Sequence, residues 1–210
     1  MMDKSRMAVN LFDRLALLYQ EKYMDVGMYH ELFDIFCNSI SSHNAEVLEL
    51  GCGPGNITKY LLQKRPDLNI LGTDLAPAMI ELARMNNPRA RFELMDCRDI
   101  GGLKNKYHAL MCGFCLPYLS KEEAIQLIAD SSKILADDGV IYLSFMEDEY
   151  IKSGLKKSST GDELYMHYHE GQYILEALHI ANFTIIDTQR KVTDLTDGAE
   201  NIDLIIIAKK

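Results

Sequence analysis

The stretch Val47-Leu48-Glu49-Leu50-Gly51-Cys52-Gly53-Pro54-Gly55-Asn56 limits the folds open to this chain more than any other. The run 45–50 has the length and the bounding glycine of a buried parallel strand. Three glycines at alternate positions follow, where the backbone can turn tightly and bring its N–H groups against a ligand. Ile57, Tyr60 and Leu61 then recur at helical spacing. The turn therefore opens into a helix N-terminus, an electropositive end suited to a carboxylate or a phosphate.

The rest of the chain extends this strand–turn–helix unit. Before it, Leu11, Phe12, Leu15, Leu18 and Tyr19 form one helical apolar stripe, and Leu32, Phe33, Phe36 and Ile40 form another. After it, residues 67–74 read as a second strand, and Pro77 suits the first turn of a helix carrying Met79, Ile80 and Ala83. Residues 91–96 and 107–112 read as the third and fourth strands. Ser120-Lys-Glu-Glu123 is a capping box, opening a helix through Ile125, Ile128 and Ile134 that is expected to stop at Gly139. A fifth strand spans 140–145.

Residues 146–168 lose the alternation, with the polar stretch 156–161 inside them, and are too long for a routine connection. A lid or binding loop is expected there. A last helix carries Tyr173, Ile174 and Leu178, and strands over 183–192 and 202–208 close the chain as an antiparallel pair. Seven strands alternating with helices predict a doubly wound α/β domain. Its sheet is mostly parallel with an antiparallel last strand, its helices cover both faces, and a helical leader precedes it. One domain is expected over 1–210: leader or lid 1–44, ligand-binding core 45–145, substrate loop 146–168, and last helix with C-terminal hairpin 169–210.

Charge and cysteine content exclude several classes. The 31 acidic against 22 basic residues give a net charge of -9, with no Lys/Arg cluster and no tryptophan, so no nucleic-acid partner is expected. Lys4, Arg6, Asp13 and Arg14 break the first twenty residues, which lack the apolar core of a signal peptide. No run reaches the roughly 18 apolar residues of a membrane span, so a cytoplasmic location away from membranes is expected. Five cysteines, an odd number, agree with this. Cys112-Gly-Phe-Cys115 stands at a strand end without the further ligands that zinc needs, so no metal is expected and the pair reads as structural.

Two ligand classes use a strand, a glycine turn and a helix. Dinucleotide sites need Gly-x-Gly-x-x-Gly, and the third position here is Asn56. The string Glu49-Leu-Gly-Cys-Gly-Pro-Gly instead resembles motif I of the class I S-adenosylmethionine-dependent methyltransferases. Phe12-Asp13-x-x-Ala16-x-x-Tyr19 is similar to the leader that precedes motif I in small-molecule members, and Asp74-x-x-x-x-Met79-Ile80-x-x-Ala83 resembles their second motif. One departure is Ala76, where a Ser or Thr cap is common. The strand order resembles that fold throughout, with the seventh strand antiparallel between the fifth and sixth.

The resemblance implies S-adenosylmethionine as cofactor and assigns residues to it. Asp74, ending the second strand, would accept hydrogen bonds from vicinal ribose hydroxyls, with Leu75 beside it and Met79 near the adenine. Asp96 would face the adenine amino group, and the backbone N–H of Cys97 a ring nitrogen. Gly113 and Phe114 would border the methionine part, Glu49 would face its ammonium end directly or through water, and Tyr19 of the leader would touch the cofactor. Gly51, Cys52, Gly53 and Asn56 would offer backbone N–H groups to the carboxylate. Glu49, Asp74 and Asp96 together would make the cleft acidic, which suits a sulfonium and opposes a pyrophosphate.

The expected reaction is in-line methyl transfer to the oxygen or nitrogen of a small molecule, in which the protein supplies positioning and exclusion of water. The alternatives are a protein or RNA methyltransferase and a non-catalytic cofactor-binding protein. An acceptor must shed a proton, so a base is sought. Tyr165-Met-His167-Tyr168-His169 supplies candidates, with His169 ahead of His167 as base or substrate contact and Tyr165 and Tyr118 as substrate contacts. Leu116-Pro117-Tyr118 lacks the amide and first proline of the Asn-Pro-Pro-Tyr signature of amino-directed nucleic-acid and protein methyltransferases.

Overall fold

The computed structural model describes residues 4–157, 161–194 and 200–210. The leader folds as α1 (Lys4–Arg14), α2 (Ala16–Tyr23) and α3 (His30–Ser39). Strands and helices then alternate: β1 (Glu46–Leu50), α4 (Asn56–Lys64), β2 (Asn69–Asp74), α5 (Pro77–Asn86), β3 (Arg91–Leu94), β4 (Tyr107–Gly113), α6 (Lys121–Ile134) and β5 (Leu135–Met146). A small pair, β6 (Gly154–Lys157) and β7 (Glu163–Met166), precedes α7 (Gly171–Ile180), β8 (Thr184–Asp194) and β9 (Glu200–Lys209).

The main sheet has seven strands in the order β3-β2-β1-β4-β5-β9-β8. β1 pairs in parallel with both β2 and β4. The chain therefore starts in the middle of the sheet and winds outward both ways, which opens a crevice at the strand carboxyl ends, the usual ligand position in such sheets. β9 runs antiparallel to β5 and β8 and lies between them, as the family resemblance implies.

Strand alternation divides the core. Leu48, Leu50, Leu110, Cys112, Ile141 and Leu143 face α6 and α7 in one cluster. Val47, Ala109, Met111, Val140 and Tyr142 pack with Phe33 and Phe36 of α3 and Ile57 and Leu61 of α4 in another. The alternate residues are thus apolar on both faces, the signature of a parallel sheet covered on both sides.

Four local expectations change. The first helix breaks at Leu15, whose φ of -102° and ψ of 15° leave the helical region, and Leu18 of the expected apolar stripe is exposed. α6 keeps both halves of its capping box but ends at Ile134, not Gly139, because Leu135 turns extended and pairs with Tyr107. The stretch 146–168 contains the antiparallel hairpin β6–β7, with Leu155 opposite Tyr165 and Gly154 opposite Met166. Short, polar strands of four residues carry little periodicity, so the sequence reads as loop. Residues 158–160 of that stretch, 195–199 of the final hairpin and 1–3 of the leader lie outside the described residues.

Candidate functional site

The glycine turn forms because three residues take left-handed backbone angles: Gly51 at φ 63°, Gly53 at 52° and Gly55 at 79°. Gly55 also has no room for a side chain, since a Cβ there would lie 2.3 Å from Asn87 Nδ2. At Gly51 a Cβ would lie 3.3 Å from both Cβ and Sγ of Cys115, so β1 and β4 approach closely where their strands end. Cys52 N donates to Thr73 O at 2.9 Å, which ties the turn to β2.

Asp74 joins this turn to the rest of the site. Its Oδ2 accepts from Gly53 N and its Oδ1 from Ala76 N, each at 2.9 Å. Burial raises its pKa, and these N–H donors oppose the rise. The carboxylate keeps lone pairs for further donors. Ala76 supplies no side-chain cap to α5, and Asp13 of the leader replaces it: Ala78 N donates to Asp13 Oδ1 at 2.7 Å. Gln20 Oε1 accepts from Asn86 Nδ2 at 2.7 Å, so the leader is stitched along α5.

These elements enclose a cleft of about 870 Å³, its open mouth included. Tyr19, Gly51, Gly53, Asp74, Leu75, Met79, Asp96, Cys97, Gly113, Phe114 and Tyr118 all line it. Residues predicted from four separate strand ends and the leader thus converge on one cavity. Phe12 of α1 packs edge-on against both Tyr19 and Tyr118, with ring centroids 5.7 and 5.3 Å apart, and roofs the cleft with Ala8 and Val9.

Other predicted residues stand elsewhere. Cys52 is buried away from the cleft against Ile80, Ala83 and Phe92. Asn56 is likewise outside its wall: its Nδ2 donates to Tyr23 O at 2.9 Å, anchoring the leader. Glu49 is 1% exposed behind the glycine turn, where Thr58 Oγ1 donates to its Oε2 and its Oε1 has no partner. Burial pushes its carboxyl up to about 7, against the opposing hydrogen bonds from Thr58.

The late His cluster requires the main correction. His169 is fully buried, its Nε2 2.8 Å from Leu116 O and its Nδ1 hydrogen-bonded to Tyr173 O–H. A carbonyl only accepts, so Nε2 carries the proton, and Nδ1 accepts from the tyrosine. With both nitrogens engaged and burial pushing its pKa down to about 4, His169 holds structure together and does not face a substrate. His167 is also buried, with Nδ1 3.2 Å from Tyr150 O–H, and its ring lies 4.8 Å from that of Tyr165. Tyr165, His167 and His169 all lie outside the cleft wall.

Arg98 was not anticipated from the sequence. It lines the cleft, and its Nε donates to Asp96 Oδ1 and Oδ2 at 2.9 and 3.0 Å, with Nη1 3.1 Å from Glu123 Oε1. Burial acts to raise the Asp96 carboxyl, but Arg98 holds it below the usual range. The Asp96 charge is therefore balanced in place, which leaves Asp74 as the carboxyl group of the cleft wall with no cationic partner among the described residues. The basic residue two positions after the strand-end acid was the available signal.

The residues present fit the expected cofactor. Leu75, Met79 and Met95 line the same cleft as Asp74 and the glycine turn, and a buried carboxylate oxygen of Glu49, two residues before that turn, lacks a donor. Among the described residues, no group of three or more His, Cys, Asp or Glu is placed to hold a metal ion, and no helix is long and apolar enough to cross a membrane.

Comparison with known proteins agrees with this geometry. Residues 47–139 match the family model of a methyltransferase domain. The trans-aconitate 2-methyltransferase of Variovorax paradoxus (strain S110) is 34% identical over 104 residues, 50% of this chain and 39% of that protein. The malonyl-[acyl-carrier protein] O-methyltransferase of Priestia megaterium is 35% identical over 91 residues, 42% of this chain and 32% of that one. The chain thus spans 32–39% of the length of these relatives. Magnesium protoporphyrin IX methyltransferase of Synechocystis PCC 6803, solved with bound SAH, superposes with a TM-score of 0.73 at 17% identity, over 99% of this chain and 100% of that one. At that identity the likeness shows the fold.

Proposed function

We propose, from the premise that the core of this chain is a class I methyltransferase domain, that it transfers a methyl group from S-adenosylmethionine to an oxygen or nitrogen of a small molecule. The observation that carries the reading is the convergence of Asp74, Asp96, the glycine turn and Phe114 on one cleft at the switch point of the sheet. A fold alone would not support it, because function belongs to the site.

Asp74 would hold the ribose, Leu75 and Met79 the adenine face, and Gly51 and Gly53 the methionine end. The unpartnered Glu49 oxygen provides a negative centre behind that end, where a cation relieves its burial. When bound, the cofactor supplies a methyl group already activated on a sulfonium. The chain's part is to orient and to exclude water: α1 and α2, tied down through Asp13, Gln20 and Tyr23, cover the cleft with Phe12 and Tyr19. Tyr118, in the cleft wall, would face the acceptor, and burial raises its hydroxyl pKa and keeps it protonated at neutral pH. The name of one sequence relative, a trans-aconitate 2-methyltransferase, supports a small acid as acceptor, and that of the other, an O-methyltransferase of malonyl-[acyl-carrier protein], supports an oxygen acceptor on a protein-carried acyl group.

Calorimetric titration with S-adenosylmethionine, S-adenosylhomocysteine and NAD tests the cofactor. Micromolar binding of the first two without NAD is expected, and NAD binding alone overturns the reading. Release of S-adenosylhomocysteine with a panel of small acids, phenols and amines, trans-aconitate included, then tests the acceptor class.

A further inference from the structure

Cys115, read from the sequence as half of a structural Cys-x-x-Cys, meets a thiol far from it in the chain. Its Sγ lies 3.5 Å from Cys97 Sγ. Cys97 follows the strand-end Asp96 and is partly exposed, while Cys115 follows Phe114 and is 8% exposed, and both line the cleft. We propose that Cys97 and Cys115 form a reversible thiol–disulfide couple in the wall of the cleft, and that the disulfide closes the cleft to its ligand. The first half is independent of the proposed function; the second rests on the cleft being the cofactor site.

A disulfide needs its sulfurs about 2.05 Å apart. The pair must therefore close from 3.5 Å by about 1.5 Å, within reach of two side chains on loops beyond strand ends. The loops that move carry the site: one begins with Asp96, and the other packs on the glycine turn, since Cys115 stands against Gly51. Drawing them together narrows the cleft between the Asp96 edge and the glycine turn.

The chemistry balances with a peroxide as oxidant. The Cys97 sulfur, the more exposed, attacks one peroxide oxygen and becomes a sulfenic acid as the O–O bond breaks and water leaves. The Cys115 sulfur then displaces the sulfenic oxygen, which leaves as a second water with the thiol proton. Two S–H bonds are lost, one S–S bond forms, and two electrons pass to the peroxide. In the reduced state the contact with Cys115, with burial, raises the Cys97 thiol, and contact with Cys112 helps raise that of Cys115. Both are thereby held as a protonated, hydrogen-bonded pair. A ligand in the cleft would cover Cys97 and protect it.

The test treats the reduced full chain with hydrogen peroxide, maps the thiols by alkylation and peptide mass, and titrates S-adenosylhomocysteine before and after. A crosslink joining Cys97 to Cys115, an affinity lowered about tenfold or more and recovery with dithiothreitol are expected. Slower crosslinking after preloading with S-adenosylhomocysteine is expected as well. Cys115→Ala, compared with its own reduced form, should keep its affinity under the oxidant. A crosslink of Cys112 to Cys115 in its place, or all five thiols still open to alkylation, overturns the couple. A Cys97–Cys115 crosslink with unchanged affinity overturns the closure. If the reduced chain does not bind S-adenosylhomocysteine, the proposed function and the closure fall together, while the mass map still decides the couple.

Discussion

The glycine-turn side of the cleft and the hairpin side place buried polar groups in opposite situations. Behind the turn, Glu49 is buried with one oxygen unpartnered, and its carboxyl is pushed up to about 7. Behind the hairpin, His169 is buried with both ring nitrogens engaged by Leu116 and Tyr173, and is held neutral, with a pKa of about 4. Both are charged-type residues in the interior. The difference bears on where a ligand belongs: the orphaned Glu49 oxygen, two residues before the glycine turn, fits an external partner, whereas the satisfied His169 belongs to the fold.

The largest effect that would break this contrast is at His169. His169→Ala would leave a carbonyl and a buried hydroxyl without partners as well as a cavity, and should cost about 2–5 kcal/mol of stability. Chemical denaturation measures that cost, and affinity for S-adenosylhomocysteine should change less than about twofold. Normal stability with lost turnover would return His169 to the chemistry.

The pH dependence sharpens the contrast at Glu49. Its folded-state pKa of about 7 lies above the ordinary 4.5, so the native chain holds the extra proton, and stability falls as pH rises from about 4.5 through about 7. The full decline is on the order of 3 kcal/mol, from the size of the shift. His169 acts with the opposite sign: its pKa drops from 6.5 to about 4, so its contribution is present above 6.5 and lost as pH falls toward 4. Glu49→Gln should therefore remove the decline and leave a ligand-free chain that gains stability from pH 4 to 7. An unchanged thermal-melt profile would show that Glu49 is not the titrating group. In the parent chain, affinity for S-adenosylmethionine should rise through pH 7 as Glu49 ionises, and the variant should lack this rise.

Asp74→Ala should lose about 1.5–3 kcal/mol of cofactor binding, the range for hydrogen bonds to a charged group. Calorimetry reads this directly, and unchanged affinity would remove Asp74 from the site. The smallest effect belongs to the hairpin's tether to the leader, the ion pair of Arg14 with Asp162, in which Arg14 is mostly exposed. Arg14→Ala should change stability by less than about 1 kcal/mol. A larger loss in denaturant titration would mean that hairpin and leader are coupled more tightly than a surface ion pair allows.

Legibility in the sequence follows the same divide. Along β1, β2 and β4, apolar runs ending in glycine or aspartate announce both strand and site, because chain continuity places Gly51, Asp74 and Gly113 at strand ends. The His cluster misled because a histidine beside aromatics looks alike whether it meets a substrate or a backbone carbonyl 53 residues away in the chain. Arg98 was missed because a basic residue in a loop has no period, and its effect on Asp96 depends on side-chain direction.

What the sequence determined by itself is the doubly wound fold, the strand-end position of the site and the glycine turn, since each follows from local periodicity or from a backbone angle that only certain residues adopt. Tertiary structure alone decided which groups meet across elements: Asp13 capping α5, Arg98 neutralising Asp96, Tyr173 and Leu116 immobilising His169, and Cys97 approaching Cys115. The physical reason is that hydrogen bonds and ion pairs act over about 3 Å in space, a distance set by how the elements pack and not by separation along the chain.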